Sequence, residues 1–149
     1  MADVDRGVST VLGYSLNLVV ATLLVTGVLV AAGSLVDSQR DQAARAELNV
    51  VGERLVANLE TADRLARSTD DGHVAVDASL PTRIAGSAYE VVIVTDGDAA
   101  EAVVILDNPD QRVVVPIHNG TPIEESRHPG GPLTIHATDS GPLEVTDDK

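Results

Sequence analysis

The feature that most constrains this chain is a run with no charged side chain from Val8 to Val36, opened by Asp5-Arg6-Gly7 and closed by Asp37. As a helix, this run reaches about 43 Å at about 1.5 Å per residue, against a bilayer hydrocarbon core of about 30 Å. It is long enough to span a membrane. A secretory signal carries an apolar region of only about 7 to 15 residues ahead of a small-residue cleavage site, so wholesale removal of the run fits less well than retention. A core helix of a soluble domain would set polar residues along one face. Here the only ones are Ser9, Thr10, Tyr14, Ser15, Asn17, Thr22, Thr26 and Ser34. Membrane lipid is the expected environment of this segment.

The rest of the 149-residue chain, about a hundred residues, is enough for one small globular domain and not two. It has no Phe or Trp, and its one Tyr beyond the apolar run is Tyr89, so its core must be built from Val, Leu, Ile and Ala. With no cysteine, neither disulfides nor thiolate metal sites are available. Acidic residues number 23 against 10 basic ones, and the single Lys is the last residue. Such a balance argues against phosphate-backbone binding, which needs clustered Lys and Arg, so no nucleic-acid partner is expected. The acids are scattered over the polar part of the chain, as a solvating coat that keeps molecules apart. This acid-rich, Lys-poor, Arg-retaining composition resembles that of proteins from salt-loving archaea.

Beyond Val36 the pattern turns amphipathic. Ala44, Leu48, Val51, Leu55, Leu59, Ala62 and Leu65 or Ala66 recur at steps of three and four, with Arg and Glu between them. No Pro interrupts Val8 to Asp71, so one helix, or two nearly collinear ones, should run to about Thr69, with Gly52 a soft point and Asp71-Gly72 the stop. After Gly72, short Val- and Ile-rich runs mark strands at His73–Asp77, Ala88–Thr95, Ala102–Leu106, Arg112–Ile117, Pro132–Ala137 and Leu143–Val145. Asp96-Gly97 and Asn108-Pro109-Asp110 read as hairpin connections, giving a meander from Ala88 to Ile117. Thr121–Gly131 reads as a loop, and Asp147–Lys149 should fray. The expected fold is α+β: a long N-terminal helix, transmembrane in its first half and amphipathic in its second, packed on a small antiparallel β-sheet domain. Its parts are a charged leader (1–7), a transmembrane or filament-core helix (8–36), a continuing amphipathic helix (37–71) and the β domain (72–149).

The opening Asp5-Arg6-Gly7-Val8-Ser9-Thr10-Val11-Leu12-Gly13 joins a short charged leader, a terminal Gly and an apolar helix. A peptidase at the membrane surface needs an unhindered dipeptide, and Gly7 gives backbone freedom while Arg6 holds the leader in the polar phase. Cutting after Gly7 would leave the apolar helix as the new N-terminus. In these residues the chain resembles archaeal type IV pilin-like proteins with class III signal peptides, especially those of halophiles. The resemblance covers mainly residues 1–36. Thr10 stands where many halophile pilins have Pro, and Leu12 where bacterial pilins carry a Glu. It implies cleavage between Gly7 and Val8 by a prepilin-type peptidase, assembly with other pilin-like subunits, and a C-terminal domain outside the cell. A positive-inside count points the other way, since Arg40, Arg45 and Arg54 follow the span and only Arg6 precedes it.

Gly27 and Ala31 stand four apart, so a second helix can approach closely there, and Asn17 carries an amide that seeks a partner on another helix or water at the membrane face. Asn119-Gly120-Thr121 is an N-glycosylation acceptor pattern in an expected turn, making Asn119 a candidate attachment site. His73, His118, His128 and His136 lack metal-ligand spacing; Glu124-Glu125 with His128 reads as a solvated loop before a cation site. Asp96, Asp98 and Glu101 lack the spacing of a calcium loop. No G-x-S-x-G and no Gly-rich phosphate loop occurs, so neither a catalytic residue nor a cofactor is expected. The expected role is assembly, as a minor or accessory pilin-like subunit. The alternative is a single-pass, signal-anchored binding module that never polymerises, and an enzyme is the remote third class.

Overall fold

In the computed structural model, the described residues are 2–68, 73–97, 99–107, 111–138 and 141–147, with the side chains of 2–10 left aside. Helix α1 occupies Ala2–Ser68 without a break, because the apolar run and the amphipathic stretch both hold good helix formers and neither contains Pro. It opens six residues before Val8, so the leader, expected as an unhindered segment, is helical from Ala2 and the Gly7–Val8 bond lies inside it. The chain divides into two compact units, one ending at Arg40 and one starting at Asp41. The second is called the head domain below.

The head is α+β as expected, with one refinement: its strands form two antiparallel sheets rather than one. These strands are β1 (His73–Ala78), β2 (Tyr89–Asp96), β3 (Ala99–Leu106), β4 (Arg112–Ile117), β5 (Ser126–Pro129), β6 (Leu133–Thr138) and β7 (Glu144–Asp147). Four make a sheet ordered β4-β3-β2-β5, which contains the expected meander, and three make a sheet ordered β1-β6-β7. Gly97 adopts φ 61° in the β2–β3 turn, a conformation that a Cβ would penalise. The Asn108-Pro109-Asp110 connection and the end of the chain after Asp147 lie outside the described residues.

Each sheet turns alternate residues inward. Tyr89, Val91 and Ile93 of β2 and Ala100, Ala102, Val104 and Leu106 of β3 are buried, as are Leu133, Ile135 and Ala137 of β6. The helix contributes Ala44, Leu48, Val51, Leu55, Leu59, Ala62 and Ala66 to the same core, and Leu65 stays exposed. Gly52 is no soft point. It faces the sheet so closely that a Cβ there would lie 2.8 Å from Val115 Cγ2, so the helix runs through it and uses its bareness as clearance. Gly130 plays the same part against the ring of Tyr89, whose hydroxyl donates to Pro81 O at 2.6 Å. Burial pushes the Tyr89 phenol up from its ordinary value.

Two sequence expectations fail at the margins of the sheets. Thr121–Gly131 is not wholly loop, because Ser126–Pro129 pairs with Glu90–Ile93 as β5. Ser-Arg-His-Pro has no strand signature; the open hydrogen-bonding edge of β2 recruits it. Asp147 does not fray, since it closes β7 and its Oδ1 meets His128 Nδ1 at 2.6 Å. That contact joins the edge strands of the two sheets, beside the Ile123–Leu143 bridge and the Leu143 N to Pro122 O bond of 2.7 Å.

Candidate functional site

The apolar segment offers the first candidate surface. Residues 11–43 are all exposed, and they include Val11, Leu12, Leu16, Leu23, Leu24, Val28 and Leu29 at about two thirds exposure each. The helix is long and apolar enough to cross a membrane, and none of its most apolar stretch is buried. Four of its hydroxyls are satisfied internally: Ser15 donates to Val11 O at 2.9 Å, Thr22 to Leu18 O at 2.8 Å, Thr26 to Thr22 O at 2.9 Å and Ser34 to Ala31 O at 2.9 Å. This is how a helix in lipid disposes of polar groups that water cannot reach.

Asn17 is different. Its amide is exposed and has no hydrogen bond with a described residue. At about 100° per residue, Gly13, Asn17, Gly27 and Ala31 fall within one arc of about 80°, which Val20 and Leu24 share. A Cβ built on Gly13 or Gly27 would meet nothing within 4 Å. The sequence paired Gly27 with Ala31 and treated Asn17 apart; helical geometry puts all three, with Gly13, on one side of the helix. Gly7 and Val8 are placed only as backbone within α1.

The second candidate lies at the end of the head where α1 meets the β4–β5 loop. Asp63 is 1% exposed, and its carboxylate gathers the loop. Oδ1 accepts from Thr121 N at 2.9 Å, and Oδ2 accepts from Gly120 N at 3.2 Å and from Arg67 Nη2 at 2.7 Å. Burial pushes its pKa up, but hydrogen bonds from the Thr121 hydroxyl, the two backbone amides and Arg67 outweigh it, holding the carboxyl below its usual value. Sequence reasoning missed Asp63, which reads there as one more charge on the polar face. The only signal was its position one residue after Ala62, at the edge of the apolar stripe.

Asn119, the candidate glycosylation site, sits in this loop half-buried, and its Nδ2 donates to Thr121 O at 2.6 Å. Thr121 is occupied by Asp63, so in the folded head both residues of the acceptor pattern are engaged. Two clefts flank the loop. One, of about 260 Å³, is lined by Thr95, Gly97, Ala100 and Asn119–Ile123. The other, of about 560 Å³, is lined by Arg67, Glu101, Pro116, His118 and Asn119 among others. His118 lies 3.6 Å from Glu60 and is well exposed.

The remaining polar candidates disperse. His128, expected in a loop with Glu124 and Glu125, is on β5 and turned to Asp147. Glu125 instead caps Thr95, accepting from its backbone N at 3.0 Å and its hydroxyl at 2.9 Å, and these bonds hold its carboxyl below the ordinary value. Ser126 Oγ and His128 Nε2 are buried without partners, and neither residue lines either cleft. Asp98 lies outside the described residues. Among the described residues, no group of three or more metal-ligating side chains surrounds one point.

Neither the comparison with curated proteins nor that with solved structures finds a match. A family match covers residues 3–146, almost the whole chain, and the chain belongs to that family of unknown function, DUF7266.

Proposed function

We propose that this member of the family is an assembly subunit anchored by its N-terminal helix: a minor or accessory type IV pilin-like protein that carries an acidic head outside the cell. The observation that carries this reading is the stripe of Gly13, Asn17, Gly27 and Ala31 on a helix otherwise apolar and internally satisfied. In lipid or in a filament core there is little hydrophobic gain in bringing helices together, so association rests on close backbone approach and on polar pairing. The small residues supply the approach. The Asn17 amide supplies the pairing, since a donor and acceptor left open in an apolar medium cost free energy that a neighbouring Asn17 would recover. Prepilin-type peptidase cleavage after Gly7 would make Val8 the first residue and free the helix to move into a bundle.

Mass spectrometry of the native N-terminus, with and without the peptidase, tests the reading. It predicts a chain beginning at Val8 only when the enzyme is present, and a chain that starts at Met1 or Ala2 in both cells would overturn it. Because the chain has no cysteine, Gly27→Cys and a control at Val28 provide a clean cross-linking test in isolated membranes. Cross-linked dimers should form at position 27 in preference to 28.

A second reading is favoured by the clefts beside Asn119: a signal-anchored protein whose head is a binding module that does not polymerise. It shares the membrane helix but predicts an uncut leader and no position-specific cross-link.

A further inference from the structure

We propose that His73 and His136 form a two-imidazole site for a divalent transition metal ion of the copper or zinc type, on the outer face of the β1-β6-β7 sheet. The register sets the pair. His73 stands opposite Thr138 and His136 opposite Ala75, so the two histidines are diagonal neighbours on adjacent strands and leave the sheet on the same face. Their rings stack with centroids 5.4 Å apart and planes 24° from parallel. Inward-facing Val74, Val76, Ile135 and Ala137 fix the strands beneath them.

Three further observations point to a cation. The Nδ1 of His136 is buried with no hydrogen-bond partner, which leaves a ring nitrogen uncommitted. His73 is exposed at the first position of β1, so its ring is free to turn until both imidazoles present a nitrogen to one ion at about 2.0–2.1 Å. Opposite His136, Ala75 is too small to fill the space that such a turn requires. The field is favourable too. Asp77 and Glu144 belong to the same outer face by register, Glu144 directly opposite His136, on a chain of formal charge −13.

Imidazole donors select copper, nickel and zinc and discriminate against calcium and magnesium, which take oxygen ligands. Water completes the shell, because no third ligating side chain among the described residues surrounds the same point. Such an ion pins β1 to β6, two strands joined across the whole meander, and so acts as a staple on the smaller sheet.

The test is titration of the full chain in detergent with Cu²⁺, read by electron paramagnetic resonance and by thermal melting. The parent should take up one equivalent with two imidazole nitrogens on the copper, and melt at a higher temperature with metal than without. His73→Gln and His136→Gln should each weaken binding by about tenfold or more, while His118→Gln, beside Glu60, leaves it within about twofold. Equal binding by the parent and His73→Gln, or a spectrum with a single nitrogen, overturns the proposal. His73 is exposed at a strand end, so its variant folds and carries the test even if His136→Gln disturbs the sheet.

Discussion

Four hydrogen bonds converge on the Asp63 carboxylate at the last turns of α1, from Arg67, Gly120 N and both the amide and hydroxyl of Thr121. Its native pKa lies below the ordinary carboxylate value, so as pH falls the unfolded chain takes up this proton first. The stabilisation is therefore complete above the unfolded value, near pH 4, and is lost as pH falls through the depressed native one. Asp63→Asn should cost about 2 kcal/mol at neutral pH and flatten the acid limb of a melting-temperature profile measured from pH 6 to 2.5. An unchanged acid limb would show that the loop is held by something else. Ala85 raises a different issue, that of backbone conformation. With φ 48° beside Gly86 at φ 81°, it occupies a left-handed position in the tight turn closed by Ile84 and Ser87. Ala85→Asn should stabilise the head by about 0.5–1 kcal/mol, read by urea unfolding, because Asn tolerates this region and Ala does not.

Between elements, Gly52 of α1 lies close against β3 and β4. Adding a methyl group gains about 1 kcal/mol of helix propensity but forces Val115 to give way, at about 1–3 kcal/mol. Gly52→Ala should therefore destabilise the head, and Val115→Ala in the same chain should recover part of the loss. A double-mutant cycle of unfolding free energies decides it: additive effects would mean that the contact is not the cause. At this scale the sequence was legible where a period ran long enough. The stripe from Ala44 to Ala66 and the strands of the meander follow directly from spacing. Ser126–Pro129 did not, because an edge strand can be recruited by a neighbour's open amides and carbonyls without any propensity of its own. The same limit hid Asp63, whose loop partners Gly120 and Thr121 are more than fifty residues away.

For the whole molecule, composition sets two contrasting parts: an apolar helix long enough to cross a membrane, and an acidic head. The chain's formal charge of −13 falls almost entirely in the head and implies self-repulsion there. Added salt screens it, since the Debye length falls from about 10 Å at 0.1 M to about 3 Å at 1 M. Melting temperature should rise as potassium chloride increases over that range, and a flat or falling curve would refute self-repulsion as a destabilising force in the head. The helix obeys the opposite rule. Replacing Leu24 with Arg, at an exposed site within the span, should abolish membrane retention, measured by flotation, at a cost of about 2.5–3.5 kcal/mol at the bilayer centre.

What the sequence determined by itself is what local chemistry decides. The apolar run, the helical stripe and the alternating strands each bury or expose side chains by their own period, whatever they pack against. The tertiary structure decided everything that depends on which distant segments meet. It split the strands into two sheets by pairing β1 with β6, turned Gly52 from a supposed weak point into a clearance, and set Asp147 against His128. It also laid two histidines side by side that are far apart along the chain. The reason is physical: periodicity reports the face a residue presents, whereas a partner is selected by the three-dimensional packing of the whole head.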